Sequence, residues 1–141
     1  MKKKLKICIV KSEYNNTNLL LKKAISTLEK ANINYLTISV PGAFEIPVMI
    51  SKNITKYDGF IAIGSIIKGQ TPNFDFISNA ITNAIMQLSV NYKKPIGNAV
   101  LTCLSKNQAN KRSIKGKEAA IAVLEVLKWN RWIIVTTLEL L

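Results

Sequence analysis

The chain has 141 residues and a mass of 15.7 kDa, with 20 basic and 8 acidic side chains, a formal net charge of +12 and no histidine. This length suits one ordinary domain, and an apolar content of 48% supplies a core and argues against general disorder. The missing histidine excludes histidine triads, histidine–zinc sites and histidine general bases, and the two cysteines, Cys8 and Cys103, are too few for a disulfide framework or a four-thiolate zinc site.

The opening MKKKLKICIVKSEY holds an apolar run too short for a signal peptide. Within it, Leu5–Val10 reads as a buried strand, followed by the polar loop KSEYNN. Leu20, Ala24, Leu28 and Ala31 recur at helical spacing, so a helix is expected over Thr17–Ala31, capped by Asn16 or Thr17. Tyr35–Val40 alternates and is rich in β-branched residues, the pattern of a strand, and Pro41-Gly42 ends it. Phe44–Asn53 reads as a helix with Pro47 in its first turn. Gly59–Gly64 is a third strand, and Ser65–Thr71 a loop containing Gly69. Pro72–Val90 carries Phe74, Ile77, Ile81, Ala84, Ile85 and Leu88 on one face, an amphipathic helix with Thr71 as cap and Pro72 at its first position. Pro95 opens a segment that becomes the strand Ala99–Cys103; Ser105–Arg112 suits a short polar helix. Gly116–Trp129 is helical and apolar over most of its circumference, so it needs cover on more than one side. The tail Trp132–Leu141 is apolar, and no stretch approaches the roughly 20 apolar residues of a membrane span. The reading is a cytoplasmic protein with reduced thiols.

Strands alternating with helices imply one domain with a parallel sheet covered on both faces, and ligands at the carboxyl ends of the strands. Three loops, Lys11–Asn16, Pro41–Glu45 and Ser65–Asn73, follow such ends and can meet at one crevice. In the third, free amides at a helix start together with Lys68 suit an anion, although the same features suit an ordinary capped loop. Neither common glycine-rich phosphate motif is present. Glu45 can accept bonds from hydroxyls or merely favour a helix start; Tyr14 can stack on a flat ring or cover the sheet end; Arg112 suits bidentate phosphate recognition or is a plain surface arginine. The charge points to an anionic partner such as a phosphorylated substrate, or to lysines that only decorate the surface; no nucleic-acid motif is visible.

PGAFEIP, then IAIGSIIKGQTPNFDFIS, a strand ending in LT, NQANKR and KGKEAA resemble the lumazine synthase family in order and spacing, over about Lys6 to Lys128. The resemblance implies a single-domain three-layer α/β/α sandwich with a four-stranded, mainly parallel, flavodoxin-like sheet. It implies a transferase of riboflavin biosynthesis. The enzyme condenses 5-amino-6-ribitylaminouracil with 3,4-dihydroxy-2-butanone 4-phosphate and releases 6,7-dimethyl-8-ribityllumazine, phosphate and water. No metal or redox cofactor is implied. The implied partners are these small molecules and further copies of the chain in a homopentamer, with neither nucleic acid nor membrane. By the family's pattern Tyr14 stacks on the pyrimidine with Asn15 beside it, and Ala43, Phe44 and Glu45 bind the ribityl chain. Ser65, Ile66 and Ile67 contact the pyrimidine through backbone groups. Gln70 and Thr71 hold the phosphate at the helix start and Arg112 clamps it. Asn98 falls where another subunit contributes, and Lys115 aligns with a lysine near the pyrimidine. The chain departs from the pattern at Asn73, where the family has its proton-transfer histidine. It departs again in the short spacer from Arg112 to Lys115, which lacks the glycine-containing linker of capsid-forming members, and in a tail from about Asn130 to Leu141.

Overall fold

The computed structural model describes residues 4–69 and 73–140, with side chains through Trp129. The elements follow the order β1 (Lys6–Ser12), α1 (Asn18–Lys30), β2 (Asn34–Val40), a 3-10 turn (Ala43–Glu45), α2 (Ile46–Asn53), β3 (Gly59–Ile67), α3 (Phe74–Tyr92), β4 (Ile96–Cys103), α4 (Lys106–Lys111) and α5 (Lys115–Leu140). All four strands run parallel in the order β2-β1-β3-β4. This is the strand order of the flavodoxin-like doubly wound fold, whose ligand crevice opens between the first and third strands.

Alternation along the strands divides the core in two. Ile7, Ile9, Ile61, Ile63, Ala99 and Leu101 pack under α1 and α5, against Leu20, Ala24, Leu28, Ala120 and Val123. Cys8, Val10, Phe60 and Ala62 pack on the opposite face under α2 and α3, against Ile46, Ile50, Ile81 and Ile85. A sheet buried on both faces explains why β1 and β3 read as continuous apolar runs. On the first face α5 lies so close that a Cβ at Gly97 would collide with the Ala119 carbonyl, and one at Gly116 with the Leu20 carbonyl.

Several boundaries differ from the sequence reading, among them β1 at Lys6–Ser12 instead of Leu5–Val10, the start of α2 at Ile46 instead of Phe44 and the start of β4 at Ile96 instead of Ala99. Ser65–Ile67 is strand, because β3 stays in register with β4 through Ser65↔Leu101, Ile66↔Thr102 and Ile67↔Cys103. Helix α3 begins at Phe74 with Asn73 in the capping position, whereas the reading put the cap at Thr71; Thr71 and Pro72 lie outside the described residues. Helix α5 continues past Trp129 to Leu140, since no glycine or proline interrupts residues 130–140. At α1 the capping position belongs to Thr17, yet its hydroxyl donates to the Ser12 carbonyl at 2.6 Å, and Asn16 Oδ1 accepts the first helical amide at 3.3 Å.

Candidate active site

The loop after β1 is the hub of the carboxyl edge. Asn15 and Asn16 hold φ values of 69° and 49°, the left-handed region that asparagine tolerates better than most residues. That turn sends Asn15 Nδ2 to the Ser65 carbonyl at 2.9 Å, tying the β1 loop to β3. The amides of Glu13 and Tyr14 donate to the Val40 and Pro41 carbonyls at 2.9 and 3.1 Å, tying the same loop to the end of β2. The predicted convergence of the first loop with the second and with the beginning of the third is therefore built from hydrogen bonds.

The end of β3 presents backbone to this crevice. The amides of Phe60 and Lys68 donate to the Pro95 and Cys103 carbonyls on the β4 side, so even-numbered residues of β3 aim their backbone groups at β4. In a parallel ladder the odd-numbered residues then aim at β1. Pairing with β1 stops at Lys11↔Ile63, so Ser65 and Ile67 turn their backbone groups past the end of β1, and Asn15 takes one of them. Ile66 is committed to β4, and its side chain is buried over the α2–α3 face.

Tyr14 is 62% exposed and, with Asn15, Asn16, Lys106 and Asn110, lines a depression of about 390 Å3. Ala43, Phe44 and Glu45 form the 3-10 turn after β2. Glu45 occupies the capping position of α2, and its Oε2 lies over Gly42, so the helix-start alternative describes its place in the chain. Glu13 receives both carboxylate contacts from Lys11 Nζ at 3.2 Å. A hydrogen bond from Ser39, followed by Lys11, holds its carboxyl below the usual range. The hydroxyls of Ser12 and Ser65 are buried with no hydrogen-bond partner among the described residues, one on each side of the sheet end. On the far flank Arg112 Nη1 donates to the Thr102 carbonyl at 3.2 Å and approaches Cys103 Sγ at 3.7 Å. This fixes the guanidinium at the end of β4, beside Lys68, whose amide bonds the Cys103 carbonyl. Helix α4 delivers Arg112 there because Ser105 Oγ caps it by accepting the Gln108 amide.

The family model described as 6,7-dimethyl-8-ribityllumazine synthase matches residues 4–131 of this chain. The chain belongs to that family. Its relatives of that name include one from Bartonella tribocorum, 40% identical over 80% of this chain and 78% of the relative. Another, from Corynebacterium kroppenstedtii, is 39% identical over 85% and 81%, and one from Leuconostoc mesenteroides is 39% identical over 86% of each. Among solved structures, a de novo designed Rossmann fold protein aligns with a TM-score of 0.40 and 20% identity over 79% of this chain and 94% of that one. As a lumazine synthase family member the chain is a transferase of riboflavin biosynthesis.

The structure brings Tyr14, Asn15 and Ser65 together and sets Ala43–Glu45 beside β1 and β3. It does not bring Asn98 there. Asn98 pairs with Ala62 in mid-strand, its side chain accepts the Val100 amide at 3.0 Å, and the end of β4 lies about 17 Å further on. Lys115 opens α5 and holds Glu118 at 2.9 Å, on the α1 side of the sheet. Gln70 and Thr71 lie outside the described residues. Asn73 stands at the start of α3, its carbonyl accepting the Ile77 amide at 2.9 Å. Lys106 and Asn110, which the sequence reading passed over, face Tyr14; their spacing of four on one helical face was the available signal. No group of residues suited to a metal ion occurs among the described residues, and none of their helices is long and apolar enough to cross a membrane.

Proposed function

We infer that this chain carries out the lumazine synthase condensation in a pocket floored by the ends of β1 and β3, with Asn73 in place of the usual histidine. The observation that supports it most is the Asn15–Ser65 bond, which sets Tyr14 beside the part of β3 that runs on past its pairing with β1 in a chain of this family. Tyr14 stacks on the pyrimidine. Ser65 and Ile67 offer it amides and carbonyls, while Ile66 holds the strand in place. The Ala43–Glu45 turn receives the ribityl chain, Glu45 accepting its hydroxyls and Phe44 covering it. Gln70 and Thr71 hold the phosphate through amides at the approach to α3, and Arg112 clamps it with donors not spent on Thr102.

The amine of the pyrimidine attacks the ketone, an imine forms with loss of water, phosphate leaves, and the ring closes with loss of a second water. Holding the two substrates together supplies much of the acceleration, and fixed donors stabilise the departing phosphate. Asparagine has no titratable group near neutral pH, so it positions but does not shuttle a proton. General acid–base help is worth roughly 10²–10⁴-fold, and its loss slows the enzyme without abolishing turnover.

One copy leaves this pocket open, with Tyr14 and Phe44 largely exposed. Phe44, Val48, Phe76, Met86 and Val90 form exposed apolar ground on the 3-10 turn, α2 and α3. Patches of this kind mark interaction surfaces. In a homopentamer they are covered, and Asn98 and Lys115 of a neighbouring copy complete the pocket. The enzyme works in the cytoplasm without a cofactor. Purified protein given both substrates should produce lumazine fluorescence above the uncatalysed background. Binding of ribityl-pyrimidine without any product above background would instead make the chain a binding protein disabled at Asn73.

A further inference from the structure

The outer surface of the α1–α5 layer carries a groove that the condensation does not use. It has a volume of about 590 Å3, and its walls include Lys22, Lys23 and Lys30 of α1, Lys117 of α5, and the apolar side chains of Leu19 and Ile114. From Leu19 to Lys30 it follows α1 for about 16 Å. Among the described residues, no carboxylate lines it. Glu29, the acidic residue of α1, accepts the Tyr35 hydroxyl at 2.7 Å, and Glu118 holds Lys115 at 2.9 Å. None of the four groove lysines has an ion-pair partner among the described residues.

The two kinds of lining are separated along the groove. Leu19, 51% exposed, lies in the first turn of α1, and Ile114, 44% exposed, immediately precedes α5. Both helices start there, and the lysines follow further along.

We propose that this groove binds a nucleotide carrying two or more phosphates, with the phosphates on the lysines and the flat ring on Leu19 and Ile114. Lysine ammonium groups act as point charges on phosphate oxygens. A bound polyphosphate relieves the mutual repulsion of four like charges in one groove. The volume falls within the ordinary range of small-molecule sites. A second copy of the chain on this face would set lysines against lysines. A single-stranded nucleic acid would call for stacking aromatics, and among the described residues none lines the groove.

Calorimetry on the full chain tests the assignment with ATP, inorganic triphosphate and a single-stranded oligonucleotide of about twelve nucleotides. The expected result is saturable ATP binding, one site per chain, tighter than that of inorganic triphosphate. Reversing Lys23→Glu together with Lys117→Glu should weaken ATP at least about tenfold, the scale of lost charge-assisted contacts. Lys23→Ala alone should weaken it less, so that the site can be followed even if the double variant folds poorly. Reversing Lys52→Glu and Lys56→Glu, which are exposed on and beyond α2, changes net charge equally and should leave ATP affinity unaltered. The kcat of lumazine formation should be unchanged in all these variants, which separates failure of this site from failure of the condensation reading. Equal weakening by the Lys52/Lys56 pair would reduce the effect to net charge and overturn the proposal. So would inorganic triphosphate binding as tightly as ATP, or the oligonucleotide binding more tightly than either.

Discussion

At the scale of single residues, Arg112 is tied through one nitrogen to the Thr102 carbonyl, and in the proposed site its other donors take the phosphate. Arg112→Ala should therefore weaken the butanone phosphate and inorganic phosphate by about 1.5–3 kcal/mol, the worth of a charge-assisted hydrogen bond, with pyrimidine affinity nearly unchanged. Calorimetry giving equal phosphate affinity for both proteins would remove Arg112 from the site. Asn73→His places a titratable ring at the start of α3. Turnover should rise, and a pH-dependent limb absent from the unsubstituted protein should appear; kcat measured against pH for both proteins decides it. Cys8 lies wholly inside the sheet, and burial pushes its thiol from 9.0 up to about 11. Between those values the unfolded chain has released its proton and the folded chain has kept it. Stability should thus fall as pH rises through that window, by up to about 3 kcal/mol. Urea melts at pH 8 and at higher pH measure this, and Cys8→Ala should flatten the dependence.

At the scale of elements, the packing of α5 on the sheet and on α1 relies on two missing side chains. A Cβ at Gly97 meets the Ala119 carbonyl, and one at Gly116 meets the Leu20 carbonyl of α1. Backbone on backbone leaves little room to adjust, so Gly97→Ala or Gly116→Ala should cost at least about 1–3 kcal/mol of stability, read as a lowered Tm. Gly69 is the opposite case: it has φ 93° with open space around its Cβ position, so alanine there strains only the loop backbone. These close approaches are invisible in the sequence, where Gly97 is one residue of an apolar run. The elements themselves were largely legible, because a buried parallel strand and a one-faced helix write different periods into the chain. The end of β3 was not. Gly64-Ser65 looks like the start of a loop, but the partner strand β4 supplies the ladder that keeps the next residues extended.

At the scale of the whole molecule, a +12 chain acting on a phosphate ester should draw that substrate in. Raising the salt from about 0.1 M to 1 M shortens the screening length from about 10 to 3 Å. It should lower kcat/KM for the butanone phosphate while kcat holds. A flat salt profile would leave the lysines with no part in encounter. Light scattering should give a homopentamer, since the exposed apolar residues of α2 and α3 and the open pocket both call for a neighbour; a monomer would leave Asn98 and Lys115 without a site to complete. Missing the glycine linker, the chain should stop at that assembly without building a larger shell.

What the sequence by itself determined was the alternation of strands and helices, the parallel doubly wound sheet, the family, and which residue types stand at the strand ends. Those follow from local periodicity and from motifs short enough to be read in place. Only the tertiary structure decided that Asn15 locks onto Ser65, that Arg112 is moored to β4, that Ile66 turns its backbone away from the crevice, and that Lys106 faces Tyr14. Each of these joins residues on different elements. Their distances depend on strand order and on how closely helices settle on the sheet, which no local pattern encodes.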